Sequence, residues 1–166
     1  MNKQKIIIIS FSWLIVLVTM FMIFNFSRQD GETSKETSDK VVDIIVELSP
    51  NKAQITDQQK DVIRFSVRKL AHFGIYMLLG FTLINAFIYS FKIKSVFNAL
   101  SSVSFAFLFA VIDEFLIQGN TSGRAPQWTD VLIDTLGSII GVSFFILIIF
   151  IYNKLLIKNK TKNGIL

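Results

Sequence analysis

Four long stretches of the chain carry no Asp, Glu, Lys or Arg: Ile6 to Ser27, Leu70 to Phe91, Ser95 to Ile112 and Thr135 to Asn153. Each is about the length of apolar helix, roughly 20 residues, that crosses a hydrocarbon core of about 30 Å. The pattern predicts an all-α membrane protein with transmembrane helices near residues 6–26, 70–91, 95–117 and 130–152, the third extended by its polar end. The whole chain, 1–166, reads as a single integral membrane domain.

The segment between the first two spans, residues 28–69, is too polar to cross and too patterned to be structureless. Thr33 with Glu36 forms a capping-box signature. Val41, Ile44, Ile45 and Leu48 then recur on one helical face, opposite Glu36, Lys40, Asp43 and Glu47, and Pro50 ends the run. This predicts an extracellular amphipathic helix that lies on the membrane surface or caps the bundle, a packed lid with no ligand of its own being the simplest role for it. A second start signal, Thr56 with Gln59, precedes an apolar run that continues into the second span without a break. On one such helix Arg64, Arg68, His72 and Tyr76, each four apart, form a single stripe descending from the interface into the bilayer.

Composition agrees with this picture, since 52% of the residues are hydrophobic and only 17% charged, too few to coat a soluble globule. With no cysteine, disulfide frameworks, thiol nucleophiles and thiolate zinc motifs are excluded. The first span follows Lys3 and Lys5 as a secretory signal would, but its apolar run is too long and ends in Phe24, Asn25 and Phe26, without small residues for a peptidase, so it should stay attached as an anchor. Four spans put both termini on one side. Lys3, Lys5, Lys92, Lys94, Lys154, Lys158, Lys160 and Lys162 crowd short segments there with no acid among them, whereas nine basic and all twelve acidic residues fall on the other side. Base density rather than base count thus places both termini in the cytoplasm, with residues 153–166 as a cytoplasmic tail. Tyr89, Tyr152 and Trp128 fit interfacial belts, and the terminal lysines meet anionic inner-leaflet lipid, with no nucleic acid called for.

The remaining charges converge. Arg68 and His72 come from the second span, Asp113, Glu114 and Gln118 from the end of the third, and Arg124, Asp130 and Asp134 from the loop and first turns of the fourth. All share one depth near one membrane face, whichever way the chain is inserted. Because a charge at mid-bilayer costs about 2.5 to 3.5 kcal/mol, each group must pair or face water, and such a cluster is a candidate site. Gly137 and Gly141, farther along the Asp130 and Asp134 stripe, would let helices approach closely.

The run Arg68, Lys69, Leu70, Ala71, His72, Phe73, then Tyr76, Leu79 and Gly80, resembles the first signature of the VanZ-like family of bacterial membrane proteins. Asp113, Glu114, Gln118, Gly123, Arg124, Asp130, Asp134, Gly137 and Gly141 resemble the second, and Phe26, Ser27 and Gln29 a weaker motif after the first span. The chain differs in carrying Asp134 where many members have Asn, and in Arg28, which interrupts a Ser-Ser-Gln pattern. The resemblance implies a plasma-membrane protein of Gram-positive bacteria linked to resistance against teicoplanin and related lipidated glycopeptides.

Four chemistries suit the cluster. Arg68 and Arg124 would lock the bundle by pairing with Asp113, Glu114 and Asp130. Alternatively they would bind a phosphate or carboxylate at the outer leaflet, with Arg64 as an outer guide and a lipid headgroup, a lipid-linked cell-wall precursor or the drug as ligand. An enzyme would use His72 with Glu114 or Asp130 as an acid–base pair, or with Glu114, Asp130 and Asp134 around a metal, though no HExxH, P-loop or GxSxG motif is present. A proton-coupled transporter would need a second copy of the chain to supply enough spans. The binding reading calls for no cofactor and no metal.

Overall fold

The structure, a computed structural model, describes residues 2–50, 54–91 and 93–162, with side chains through Ile157. Five helices follow in order: α1 (Lys3–Ser27), α2 (Gly31–Leu48), α3 (Asp57–Ser90), α4 (Ser95–Ile112) and α5 (Trp128–Lys162). A π-helical turn, Asp113–Ile117, and a 3-10 turn, Gln118–Asn120, continue α4, and there is no strand among the described residues. Four helical stretches, Lys3–Ser27, Asp57–Ser90, Ser95–Asn120 and Trp128–Ile157, are long and apolar enough to cross a membrane. The chain is a multi-pass helical membrane protein.

The bundle is organised inside-out relative to a soluble one. Large apolar side chains such as Phe11, Leu17, Phe21, Leu108, Leu132 and Phe150 are more than half exposed. The buried stripe of α1 is Ser12, Val16, Thr19, Ile23 and Ser27, and that of α4 is Asn98, Ser102, Ala106 and Ala110. Lipid tails are as apolar as leucine, so helices gain little by hiding large side chains from them. They gain from close backbone contact through small residues, and from polar groups that find partners inside. Asn85 donates to Ser12 at 3.1 Å and Trp13 to Ser90 at 2.9 Å, tying α1 to α3.

The central helix is α3, which packs on α1, α2, α4 and α5. Its contact with α5 is set by glycines. A Cβ added at Gly141 would run into the Met77 carbonyl oxygen and lie 2.8 Å from its carbon; one at Gly137 would meet the Phe73 carbonyl; one at Gly80 would sit 2.7 Å from Ser138 Cα. The helices therefore touch backbone to backbone and run parallel, with Lys69 beside Asp130, His72 beside Asp134, Phe73 beside Gly137 and Met77 beside Gly141.

Thr56 and Gln59 form the expected reciprocal capping box, and α3 runs unbroken from it. Four features correct or refine the sequence expectations. First, α2 is capped not by Thr33 but by Asp30, whose side chain accepts from the Thr33 backbone N–H at 2.7 Å, so the helix starts at Gly31. Second, α2 is seated through Ser38 and Val42, leaving Ile44, Ile45 and Leu48 exposed, so of the two expected placements for that apolar face it does not take the one that caps the bundle. Third, the last helix extends past the predicted span as far as Lys162, because no Gly or Pro intervenes and lysines suit a helix C-terminus. Fourth, the third span leaves α-helical geometry at Asp113. Of the lysines used to orient the chain, Lys92 lies outside the described residues and Lys158, Lys160 and Lys162 outside the described side chains.

Candidate functional site

The polar end of the bundle is assembled from all five helices. The π turn matters first. In a regular α-helix neighbouring residues diverge by about 100°, yet Asp113 and Glu114 are both essentially fully buried. The wider winding, with the Gln118 N–H bonding the carbonyls of both Asp113 and Glu114, turns the two consecutive acids inward. Such bulges concentrate at functional positions.

From there a hydrogen-bonded chain fixes the loop that leads to α5. Gln118 Nε2 donates to Glu114 Oε2 at 2.7 Å, and Arg124 Nη1 donates to Gln118 Oε1 at 2.7 Å. Glu114 Oε1 accepts the Gln127 backbone N–H at 2.7 Å. Gly123 turns with φ +73°, a conformation that costs glycine nothing, and its carbonyl lies 2.6 Å from where a Gly31 Cβ would be. The Gly31 N–H bonds the Ser122 carbonyl at 3.0 Å, so the start of α2 is docked on the same loop. Just before it, the Asp30 carboxylate is held below the usual carboxylate range by hydrogen bonds from Thr33.

The four acids each have a partner other than arginine. Asp130 pairs with Lys69, and Asp134 Oδ1 lies 3.4 Å from His72 Nδ1. Asp113 Oδ2 accepts from Ser27 Oγ at 2.8 Å, which ties the end of α1 to the π turn. Glu114 is held by Gln118 and Gln127. The expected pairing of Arg68 and Arg124 with Asp113, Glu114 and Asp130 is not what the structure shows: among the described residues neither arginine forms an ion pair. Burial, and after it the neighbouring Arg68 guanidinium, push the Arg124 pKa below the ordinary arginine value.

Both arginines line a cavity of about 210 Å³ between α1, α2 and α3. Its apolar wall includes Ile23, Phe26, Val41, Val67, Ala71 and Ile75; its polar wall includes Ser27, Gln29, Arg68, His72, Tyr76, Asp113 and Arg124. The α3 stripe of Arg68, His72 and Tyr76 thus forms one side of it, as the spacing of four requires. Glu114, Gln118, Asp130 and Asp134 stand behind that wall. Arg64 is elsewhere: it pairs with Asp39 of α2 and Asp61 of α3, fastening α2 to α3 rather than standing open as a guide.

Two further differences concern chemistry. The histidine partner is Asp134, not Glu114 or Asp130, because the glycine contacts set the register of α3 against α5. Nor do His72, Glu114, Asp130 and Asp134 form a metal shell; no three His, Cys, Asp or Glu side chains are so grouped among the described residues. Sequence reasoning left Lys69, Ser27, Tyr76 and Gln127 out of the cluster. Lys69 was recoverable, being three residues before His72 and hence on the face toward α5. The Gln127 contact is made by backbone and has no sequence signal.

Fold and site together define a helical multi-pass membrane protein with a buried acid cluster behind an amphiphilic, arginine-bearing cavity. A family model described as VanZ/LLP1 matches residues 11–151, and the chain belongs to that VanZ-like family. No curated protein and no solved structure matches it. The membership is consistent with a role in glycopeptide resistance.

Proposed function

We propose that this protein contributes to resistance against teicoplanin-type glycopeptides and lipoglycopeptides at the surface of the bacterial plasma membrane, by binding the anionic headgroup of an amphiphile in the α1–α2–α3 cavity. With both termini cytoplasmic, as lysine density favours, the cavity opens toward the outer leaflet. The observation that carries the reading is that Arg68 and Arg124 line one cavity and that, among the described residues, neither forms an ion pair with the acids around them. Two neighbouring guanidiniums repel, and a phosphate or carboxylate between them converts that repulsion into charge-assisted, bidentate hydrogen bonds, each worth about 1.5–3 kcal/mol. The apolar wall suits the lipid part of the same molecule, whether a membrane lipid or a lipid-linked cell-wall precursor, or the acyl tail of the drug.

The test is Arg68→Gln and Arg124→Gln in cells, with protein abundance in the membrane, resistance and labelled-antibiotic binding measured together. Protection should vanish while the protein still inserts; unchanged protection refutes the reading. Less drug bound to cells carrying the native chain indicates an altered or shielded target, and unchanged binding moves the effect downstream.

The His72–Asp134 contact favours a second reading, a membrane enzyme acting on a lipid-linked substrate, because a carboxylate at Nδ1 orients an imidazole for acid–base work. Loss of protection in His72→Ala with headgroup binding retained would select it.

A further inference from the structure

The cavity presents a second requirement beside its two arginines. Asp113 is fully buried; its Oδ2 accepts from Ser27, but its Oδ1 has no hydrogen-bond partner. The Tyr76 hydroxyl is equally buried and equally unpartnered, and both residues line the cavity. Buried polar atoms are almost always satisfied, and a carboxylate oxygen most of all needs a donor. Of the nearby protein donors, Lys69 is committed to Asp130, Arg124 Nη1 to Gln118 and the Gln118 amide to Glu114, while His72 faces Asp134 at 3.4 Å; Arg68 forms no ion pair among the described residues, and it is the donor that an anion in the cavity takes.

One wall therefore asks for an anion and the other for a hydrogen-bond donor. A group satisfying both carries a phosphate and an ammonium within one small headgroup, with an apolar chain for the wall of Ile23, Phe26 and Ile75. We propose that the cavity selects a zwitterionic lipid whose phosphate lies between Arg68 and Arg124 and whose primary ammonium donates to Asp113 and Tyr76, a headgroup of the phosphoethanolamine type. This rests on the anion-binding reading above and adds to it a specificity. A trimethylated ammonium has the same charge and no N–H, and a glycerol headgroup has hydroxyls but no cation, so neither meets the Asp113 carboxylate as well.

The experiment titrates the purified full-length chain in nanodiscs or detergent with dioleoyl phosphatidylethanolamine, phosphatidylcholine and phosphatidylglycerol, reading dissociation constants by native mass spectrometry. Phosphatidylethanolamine should bind about tenfold more tightly than phosphatidylcholine, the size of effect one charge-assisted hydrogen bond supports. Asp113→Asn should remove that preference while phosphatidylglycerol still binds. Tyr76→Phe, which deletes only a hydroxyl, should reduce the preference by roughly fivefold and keeps the test available if the Asp113 variant does not fold. Equal binding of phosphatidylethanolamine and phosphatidylcholine by the native chain overturns the specificity and leaves anion binding standing. Binding of every lipid unchanged by Arg68→Gln overturns the anion-binding reading itself. Soluble phosphoethanolamine competing as well as the lipid would overturn the lipid as the source of the headgroup.

Discussion

Arg68 and Lys69 are neighbours in sequence with the same charge, yet the structure gives them opposite roles, and a pair of substitutions separates them. The Lys69 side chain is 11% exposed and that of its partner Asp130 3%. Lys69→Gln leaves the Asp130 carboxylate buried with no counter-charge, a change that costs about 3–5 kcal/mol when one member of a buried pair is removed. Lys69→Gln with Asp130→Asn removes both charges and should recover most of that loss, so a double-mutant cycle should report a coupling of at least about 2 kcal/mol. Arg68 has no carboxylate to strand. Arg68→Gln should change stability by less than about 1 kcal/mol, and it relieves the repulsion felt by Arg124.

The assay is reversible unfolding of the purified protein in mixed micelles by titration with sodium dodecyl sulfate. The two tryptophans report it: Trp13 is hydrogen-bonded to Ser90 across α1 and α3, and the Trp128 ring packs tilted at 51° against Phe115, centroids 4.7 Å apart, at the polar end. If Arg68→Gln destabilises as much as Lys69→Gln, the arginine is a structural lock and the basis for a headgroup site disappears. A coupling energy near zero between positions 69 and 130 would equally defeat the division of roles.

Gly141→Ala should cost about 1–3 kcal/mol in the same assay, because its new methyl meets α3 backbone that cannot rotate aside; a variant as stable as the native chain would contradict the α3–α5 contact. Ser27→Ala leaves the Asp113 Oδ2 with only the longer Gln118 amide contact at 3.4 Å and should cost about 1–3 kcal/mol, most of it restored by adding Asp113→Leu; an undiminished stability in the single variant counts against the α1 connection. At the α2 cap, the Asp30 pKa is lowered by folding, so its contribution is complete above the ordinary carboxylate value of 3.8 and is lost as pH falls through the lower folded value. Hydrogen exchange at α2 amides, compared with Asp30→Asn at matched pH, should show protection lost on acidification only in the native chain, since Asn caps without titrating; identical pH profiles would refute it.

How far the sequence could be read depended on which force acted locally. The spans were legible because an uncharged stretch in lipid has one solution, the helix, and the α3 stripe because a spacing of four has one geometric meaning. The cap at Asp30 was missed since several residues near Thr33 are competent caps and only the docking of Gly31 on Gly123 chooses between them. The amphipathic pattern of α2 suits either the membrane surface or the bundle, and its seat through Ser38 and Val42 has no signal in the face of Ile44, Ile45 and Leu48. The π turn was invisible, since nothing in Asp-Glu-Phe-Leu-Ile departs from helical composition. It is a compromise between two adjacent acids that both need partners inside.

That compromise explains why the acids do not neutralise the arginines. Four carboxylates near the membrane would ordinarily capture any guanidinium within reach, since unpaired charge is expensive there. Here each is occupied first by something held rigidly: Ser27 at the end of α1, Gln118 one turn along, and Lys69 and His72 on a helix locked to α5 by glycine contacts. The geometry that holds the acids in place therefore leaves Arg68 and Arg124 without an ion pair among the described residues. Replacing Asp134 by Asn would release His72 from its carboxylate while leaving both arginines as they are. On the headgroup reading protection should survive that change, whereas an enzyme that relies on the His72–Asp134 pair should lose it.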